Sequence, residues 1–346
     1  MGDRLMRNLK TALAALGVAG ALGLGTAHAG DTLNAVKTRG ELVCGVNTGL
    51  PGFSMPDEKG HWTGIDVSIC RAVAAAVLGD ATKIKFVPLT AKERFTALQS
   101  GEIDMLSRNA TWTMSRDTSM GITFAGTTYY DGQGFMVKKS LGVTSAKQLE
   151  GASVCVLAGT TTELNVADYF RAQGMTFSPV VFDNPDQTSQ GFESGRCDVL
   201  TSDQSQLYAL RLKLSDPASA VVLPEIISKE PLGPSVRQGD DQWFAIVRWS
   251  LFAMLNAEEL GLSQANVDDK KTTSSDPNVR RLIGLDGDFG KQLGLDNDWA
   301  YRIVKQVGNY GEVFDSTVGA GSPLGIARGL NALWSQGGLQ YAPPVR

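Results

Sequence analysis

The chain has 346 residues, with 32 basic and 36 acidic side chains and a formal net charge of −4 at pH 7. This mild negative balance, without a run of basic residues, argues against a nucleic acid partner and is typical of a soluble, monomeric carrier. The length suits one large domain or two lobes of ordinary size.

The first residues have the pattern of a secretory signal peptide. Three basic residues open the chain: Arg4, Arg7 and Lys10. An uncharged, small-residue stretch from 11 to 26 follows, and Ala27-His28-Ala29 is an A-x-A cleavage site. A membrane anchor is the alternative, but the stretch is shorter than the roughly 20 residues that a span needs. We expect residues 1–29 to be removed and the exported chain to begin at Gly30.

The next segments alternate between strand and helix patterns. The predicted elements are a strand Leu42–Val46, a helix with apolar positions Ile69, Val73 and Val77, a strand Ile84–Val87, a helix Lys92–Ser100 and a strand Ile103–Leu106. Asp66 is predicted to cap the first helix, and the loop 47–64 is rich in Gly, Pro and Asp. This βαβαβ order predicts a mainly parallel sheet flanked by helices.

The same order then repeats. The predicted elements are Ser153–Leu157, Glu163–Gln173, Val180–Phe182, Gln187–Ser194, Cys197–Leu200 and Ser205–Lys213. Two βαβαβ halves indicate two lobes, with crossings at Gly134–Val137 and Leu232–Val236 that would form a hinge. We expect residues 30–135 and 235–346 to form lobe 1, including a helical C-terminal extension, and residues 136–234 to form lobe 2.

Four cysteines in an exported chain predict two disulfides, although three pairings are possible. The predicted elements place Cys44 on the first strand and Cys70 on the following helix, while Cys155 and Cys197 lie on neighbouring strands of the second lobe. We therefore predict Cys44–Cys70 and Cys155–Cys197, with four free thiols as the alternative. His61 is the only histidine after cleavage and no C-x-x-C spacing occurs, so we expect no metal site.

Three segments resemble those of family 3 extracellular solute-binding proteins: Gly52–Val67, Leu98–Asp104 and Tyr129–Phe135. The resemblance runs from about Leu42 to Asn256, and the end of the chain, Asn331–Trp334, resembles the general L-amino-acid-binding subgroup. It implies an α/β, type II periplasmic binding protein with two hinged lobes. It also implies an L-amino acid ligand, an inner-membrane ABC permease as partner, a periplasmic location and no cofactor.

The resemblance also assigns roles at the ligand's α-carbon. Arg116 would hold the α-carboxylate, because a guanidinium can make two parallel hydrogen bonds to it. Asp203 would bind the α-ammonium, with helix capping as the alternative role. Asn109 and Thr111 would hydrogen-bond the ligand, unless their polarity serves only a turn.

The turn 159–162 before a predicted helix offers free N–H groups to an anion. Thr160 and Thr161 would bind the carboxylate with N–H and hydroxyl donors, and N-capping accounts for these threonines equally well.

Three residues are candidates for contact with the ligand's side chain. Arg94 matches an arginine that acidic-amino-acid binders of the family use for the distal carboxylate; a solvated helix arginine is the alternative. Leu50 stands where the family often has a stacking aromatic, so Phe53 and Trp112 are possible substitutes, with core packing as the alternative. Acidic and polar amino acids would therefore be included in a broad range.

Two other function classes are compatible with the fold. Some proteins of this fold are lyases or hydrolases, which would require a second unpaired carboxylate in the cleft beyond Asp203. The sequence shows no convincing candidate, and His61 alone cannot complete a Ser-His-Asp set. A soluble amino-acid sensor that reports to a receptor is the other alternative.

Overall fold

The computed structural model describes residues 31–346. The predicted signal peptide and its cleavage site lie outside these residues. In the described range no helix is both long and apolar enough to cross a membrane.

The first part of the chain contains four helices and seven strands within the described range. They are α1 Asp31–Arg39, β1 Leu42–Asn47, β2 Met55–Pro56, β3 Trp62–Thr63, α2 Ile65–Leu78, β4 Ile84–Leu89, α3 Arg94–Ser100, β5 Met105–Leu106, α4 Met114–Ser119, β6 Ile122–Phe124 and β7 Tyr129–Asp131.

The remaining elements follow in chain order. They are β8 Gln133–Lys138, β9 Ser153–Leu157, α5 Thr161–Ala172, β10 Ser178–Phe182, α6 Pro185–Glu193, β11 Val199–Asp203, α7 Gln204–Arg211, β12 Ala220–Val222, β13 Glu230–Leu232, β14 Ser235–Arg237, α8 Asp241–Glu259, α9 Val267–Thr273, α10 Pro277–Leu282, α11 Phe289–Gln292, α12 Trp299–Gln306 and α13 Tyr310–Thr317.

Two five-stranded sheets organise the molecule, and they share one arrangement of strand directions. The strand orders are β4-β1-β5-β14-β6 and β10-β9-β11-β8-β12. In each sheet the three strands of the βαβαβ unit are parallel, and the remaining strands run antiparallel to their neighbours. The predicted repeat of a mainly parallel unit is therefore confirmed.

Helix α2 covers the first sheet and packs against α8 and α12 of the C-terminal part. It begins after Gly64, which has φ 129° and where a Cβ would overlap the carbonyl oxygen of Phe53. The prediction that Asp66 caps this helix is wrong. Asp66 lies in the first helical turn, and its carboxylate accepts a hydrogen bond from the Asn109 N–H at 2.7 Å.

Both predicted disulfides are present. Cys44–Cys70 joins β1 to α2, with 6.3 Å between the Cα atoms, and Cys155–Cys197 joins β9 to the turn before β11, with 5.6 Å. Each bridge stays with one sheet, so neither ties the two sheets to each other.

A two-stranded ribbon, β7 with β13, connects the parts of the chain that form the two sheets. Its register places Asp131 opposite Glu230 and Tyr129 opposite Leu232. The segment Gly134–Val137, predicted as the first crossing, lies inside β8 and already belongs to the second sheet. The chain therefore crosses slightly earlier than predicted, at β7.

The C-terminal extension packs against the first sheet's helices and reaches the ribbon. The Tyr310 hydroxyl donates to the Thr128 carbonyl at 2.8 Å, and the Asn331 side chain accepts from the Tyr130 N–H at 2.7 Å and donates to its carbonyl at 3.2 Å. Side chains of the extension thus hold the backbone at the start of β7 by hydrogen bonds.

Candidate ligand-binding site

A small cavity lies between the two sheets. It faces the carboxyl ends of β5, β9 and β11, which is where ligands bind in open α/β sheets. Its lining consists of Arg94, Arg108, Asn109, Thr111, Leu157, Thr160, Thr161, Thr162, Ser202, Asp203 and Gln206. Six of the predicted site residues are brought together here: Arg94, Asn109, Thr111, Thr160, Thr161 and Asp203.

The two sides of the cavity touch each other directly. Asn109 donates through its side-chain amide to the Gln206 Oε1 at 3.1 Å, and the hydroxyl oxygens of Thr111 and Thr161 are 3.4 Å apart. At the rim, the Lys92 ammonium lies 2.6 Å from an Asp183 carboxylate oxygen. The arrangement is therefore closed around the cavity.

Asn109 has an unusual backbone and a fixed side chain. Its φ is 31°, the only positive value for a non-glycine residue in the described chain. Its amide oxygen accepts from the Asn47 amide at 2.9 Å, and its N–H donates to buried Asp66. These bonds compensate for a conformation that asparagine tolerates better than most residues. They also aim its amide N–H across the cavity.

Arg116 lies behind Thr111 rather than in the cavity lining. Its guanidinium donates to the Thr111 carbonyl at 2.8 Å and lies 5.1 Å from the centre of the Phe95 ring. The Thr113 hydroxyl caps its helix by accepting from the Arg116 N–H at 3.3 Å. Burial lowers the pKa of Arg116, while the negative charges of Glu230 and Asp203 oppose that effect.

Arg94 is deeply buried, with 3% of its surface exposed. Its Nε has no hydrogen-bond partner among residues 31–346, and its guanidinium lies 4.8 Å from the centre of the Phe95 ring. Burial, and then the positive charges of Arg108 and Arg116, lower its pKa well below the ordinary value. A solvated helix arginine, the alternative role, is therefore excluded.

Asp203 ends β11 and directly precedes α7. It occupies the N-cap position, but its side chain makes no capping hydrogen bond. Within the described range its carboxylate accepts no hydrogen bond from another residue. Burial, and then the negative charges of Asp131 and Glu230, raise its pKa well above the ordinary value. The geometry therefore does not support the capping alternative and leaves this carboxylate available to a cation.

The threonine hydroxyls at the start of α5 already donate hydrogen bonds to other groups of the protein. Thr160 donates to the Leu157 carbonyl at 2.6 Å, and Thr162 donates to the Thr160 oxygen at 2.6 Å. Thr161 donates to the Glu230 carboxylate at 2.9 Å. Thr160 is the N-cap residue, yet its side chain makes no capping bond. The expectation of hydroxyl donors to an anion therefore needs correction: the backbone N–H groups are the donors that this turn offers.

The two aromatic candidates lie outside the cavity lining. Phe53 is 1% exposed and packs edge-on against Tyr129 with 5.5 Å between ring centres, so it belongs to the core. The Trp112 ring stacks on Phe124 with 5.9 Å between ring centres, and the Trp112 backbone N–H donates to the Pro231 carbonyl. Leu50 is also fully buried. Among these residues, core packing explains Phe53, and neither aromatic supplies a stacking surface inside the cavity.

Residues 42–264 match the bacterial extracellular solute-binding proteins, family 3. The chain belongs to this family. A putative amino-acid ABC transporter-binding protein, YhdW of Escherichia coli O157:H7, is 63% identical over 320 residues, which cover 92% of this chain and 94% of the relative. The general L-amino acid-binding periplasmic protein AapJ of Rhizobium johnstonii is 58% identical over 344 residues, covering 99% and 100%.

A solved structure of an ABC transporter periplasmic binding protein from Brucella ovis, with glutathione bound, superposes with a TM-score of 0.90. It is 60% identical, and the match covers 91% of this chain and 99% of that one. The predicted family and the type II periplasmic binding protein fold are therefore confirmed.

In this family 3 solute-binding protein, sequence reasoning missed Arg108. Its side chain is 1% exposed; Nε donates to the Leu89 carbonyl at 2.9 Å and Nη2 has no partner in the described part of the chain. Burial lowers its pKa to about 10, and the negative charge of Asp66 opposes this. The sequence could have indicated this residue, because Arg108 follows a parallel strand and the carboxyl ends of such strands meet at the ligand site.

Three further polar residues close to the site were missed. Gln206 lines the cavity, and Asp131 and Glu230 face each other on the ribbon. Burial raises the pKa of Asp131 to about 6, although it accepts hydrogen bonds from Ser205 and Gly132. Nothing local in the sequence identifies Asp131 and Glu230 as neighbours, because 99 residues of numbering separate them.

Proposed function

We propose that this protein is the periplasmic binding subunit of an ABC importer and that it holds L-α-amino acids in the cavity between its lobes. The observation that carries the proposal is the pairing, across one buried cavity, of an uncapped carboxylate at Asp203 with the buried guanidinium groups of Arg94 and Arg108. Cations and anions fixed on opposite walls match a zwitterion, and they are costly to bury without one.

The proposed contacts follow from which groups are free. Asp203 takes the α-ammonium. The N–H groups at the start of α5 and the guanidinium of Arg116 take the α-carboxylate, with Arg116 turning from the Thr111 carbonyl. Arg94 and Arg108 then remain for an acidic or polar side chain. The name of AapJ, a general L-amino acid-binding protein, supports a broad range. So does the name of the Rhodobacter capsulatus relative BztA, a glutamate/glutamine/aspartate/asparagine-binding protein, 56% identical over 326 residues.

The lobes and their motion are part of the proposal. We place the hinge in the β7–β13 ribbon, with the lobe containing β8 to β12 turning on the lobe that carries the other sheet. A ligand that contacts both walls stabilises the closed arrangement over an open one. The protein acts as an exported monomer that docks with a membrane permease. Permease and ATPase genes beside its own would favour import over the sensor alternative.

A purely binding role fits the lining of the cavity. Among residues 31–346, Asp203 is the one acid in that lining, and the α-ammonium requires its charge. A lyase would need a further unpaired carboxylate in reach of the ligand. Incubating the protein with each bound amino acid and analysing the mixture by mass spectrometry tests this, since any ligand conversion would establish an enzyme.

A γ-glutamyl peptide is a second candidate ligand. The 60% identical Brucella ovis protein has glutathione bound, and the γ-glutamyl end of glutathione carries the same α-carboxylate and α-ammonium as free glutamate. Titration calorimetry with glutathione, γ-glutamylcysteine and glutamate decides between them. A much tighter affinity for glutathione would make peptides the main ligands.

The central experiment uses protein that has been unfolded and refolded to remove bound ligand. Melting temperature is measured with each common L-amino acid, and calorimetry follows for those that raise it. Binding to the native state raises the melting temperature by mass action. The proposed function would be refuted if neither any L-amino acid nor glutathione raised the melting temperature at millimolar concentration.

A further inference from the structure

Glu230 is a buried acid that lies beside the cavity but is not part of its lining. It lies on β13, opposite Asp131, with 1% of its surface exposed. Its carboxylate accepts hydrogen bonds from Thr161 at 2.9 Å, from the Asn165 amide at 2.7 Å and from the Ser228 hydroxyl at 2.6 Å. Two of these three donors lie on α5, the helix whose start lines the cavity.

The bond between Thr161 and Glu230 has only one possible direction. A carboxylate has no proton to give, so the single hydroxyl proton of Thr161 points to Glu230. The Thr111 hydroxyl, 3.4 Å from the same oxygen, is then the donor of that contact. Toward a ligand in the cavity, the Thr161 oxygen can therefore accept a hydrogen bond but cannot donate one.

We propose that Glu230 is a positioning and specificity-determining residue that makes the Thr161 hydroxyl an acceptor for the ligand's α-ammonium. Thr161 and Asp203 then form one cation-binding corner, while backbone N–H groups and guanidinium groups hold the carboxylate. This inference rests on the proposed function. It predicts that the site requires a charged amine and discriminates against compounds with a hydroxyl group in its place.

Glu230→Gln is the informative variant, because it keeps the shape and changes the hydrogen-bond direction. The amide oxygen is best placed on the two donors Asn165 and Ser228, as the present Oε1 is. The amide NH2 then faces Thr161 and donates to its oxygen. The Thr161 proton is released toward the cavity, where it repels an ammonium and suits a carboxylate or hydroxyl oxygen.

The experiment compares two ligands that differ at one group, L-glutamate and (S)-2-hydroxyglutarate. Affinities are measured by calorimetry, and by competition where binding is weak, for wild type, Glu230→Gln, Thr161→Val and the control Thr161→Ser. Thr161→Val should weaken glutamate about tenfold or more, since a hydrogen bond to a charged group is lost, and weaken the hydroxy acid less. Thr161→Ser keeps the hydroxyl and should therefore keep the wild-type preference for glutamate over the hydroxy acid, whatever its effect on overall affinity.

Glu230→Gln should narrow the preference for glutamate over the hydroxy acid. In a protein that already carries Thr161→Val, Glu230→Gln should change this preference much less than it does in the wild type. The hydroxyl through which Glu230 acts is absent there. A purely structural role of Glu230 would weaken both ligands by the same factor. Equal losses for the two ligands in both variants would overturn the inference, whereas a wild-type protein that binds no amino acid would refute the proposed function itself.

Discussion

Replacing Arg94 by methionine should have opposite effects on ligand binding and on the stability of the ligand-free protein. Methionine has a similar length and no charge, so it fills the space of the side chain while removing the buried cation. Arg94 is 3% exposed, and its Nε has no hydrogen-bond partner in the described chain. The substitution therefore removes no hydrogen bond of that nitrogen within the protein.

The expected size of each effect follows from that environment. A contact between Arg94 and a side-chain carboxylate contributes about 2–3 kcal/mol, so affinities for aspartate and glutamate should fall roughly 30- to 150-fold. Alanine makes no such contact and should lose little. Burying a single ion costs on the order of several kcal/mol even after the protein relaxes, so removing this buried cation should stabilise the ligand-free protein. We expect the ligand-free melting temperature to rise by about 2 °C or more.

Arg237→Met is the matched control. Arg237 donates through Nη1 to the carbonyl oxygens of Leu98 at 3.1 Å and Ile103 at 2.6 Å. It also donates through Nη2 to the Thr32 hydroxyl at 3.3 Å. Because this arginine makes three hydrogen bonds to the protein, its loss should lower the melting temperature without changing the order of ligand preference.

The assay is calorimetry of aspartate, glutamate, alanine and glutamine, with calorimetric melting of ligand-free samples. If Arg94→Met weakened all four ligands equally and also melted several degrees lower than wild type, Arg94 would be structural. The proposed preference for acidic ligands would then be abandoned.

Three further predictions concern the rest of the site and the scaffold. Arg116→Lys loses the planar fork and Asp203→Asn loses the charge, so each should weaken the binding of every amino acid by on the order of 2–5 kcal/mol. Calorimetric affinities within threefold of wild type would show that these residues do not bind the ligand. Gln206→Ala should remove one hydrogen bond across the cavity and weaken the binding of all ligands by about 0.5–1.5 kcal/mol. Small-angle scattering should show a larger ligand-free molecule, and unchanged scattering would contradict this prediction. Changing Cys155 and Cys197 together to serine should lower the free energy of unfolding in urea by about 2–4 kcal/mol, and an unchanged unfolding midpoint would count against a stabilising bridge.

The regular elements were predictable because their signals are local. The strand predicted at Ser153–Leu157 has those bounds in the structure. A short apolar run between polar turns reflects burial on both faces of the strand. The disulfides followed once the strands were placed. Helix starts were less accurate: α5 begins at Thr161, two residues before the predicted Glu163. Free N–H groups, and not apolar spacing, define that end of a helix.

The interior of the site was only partly predictable. Resemblance located Arg94 and Asp203, but it could not show that the Thr161 hydroxyl is bound to Glu230 from a strand 69 positions away. Phe53 was predicted to contact the ligand but lies in the core. An aromatic residue in a loop can face a ligand or the core with the same local sequence. Such contacts depend on how distant segments meet, and a single sequence carries no direct signal for that.

The strand order has a consequence for how the chain folds as it is synthesised. All strands of the second sheet come from one continuous stretch, from Gln133 to Val222, whereas β14 near residue 236 must insert between β5 and β6 of the first sheet. The amino-terminal strands of the first sheet are synthesised first but lack β14 as a neighbour until much later in synthesis. Contacts between distant segments form slowly, so we expect the second sheet to be completed before the first, which stays open to chaperones and proteases for longer.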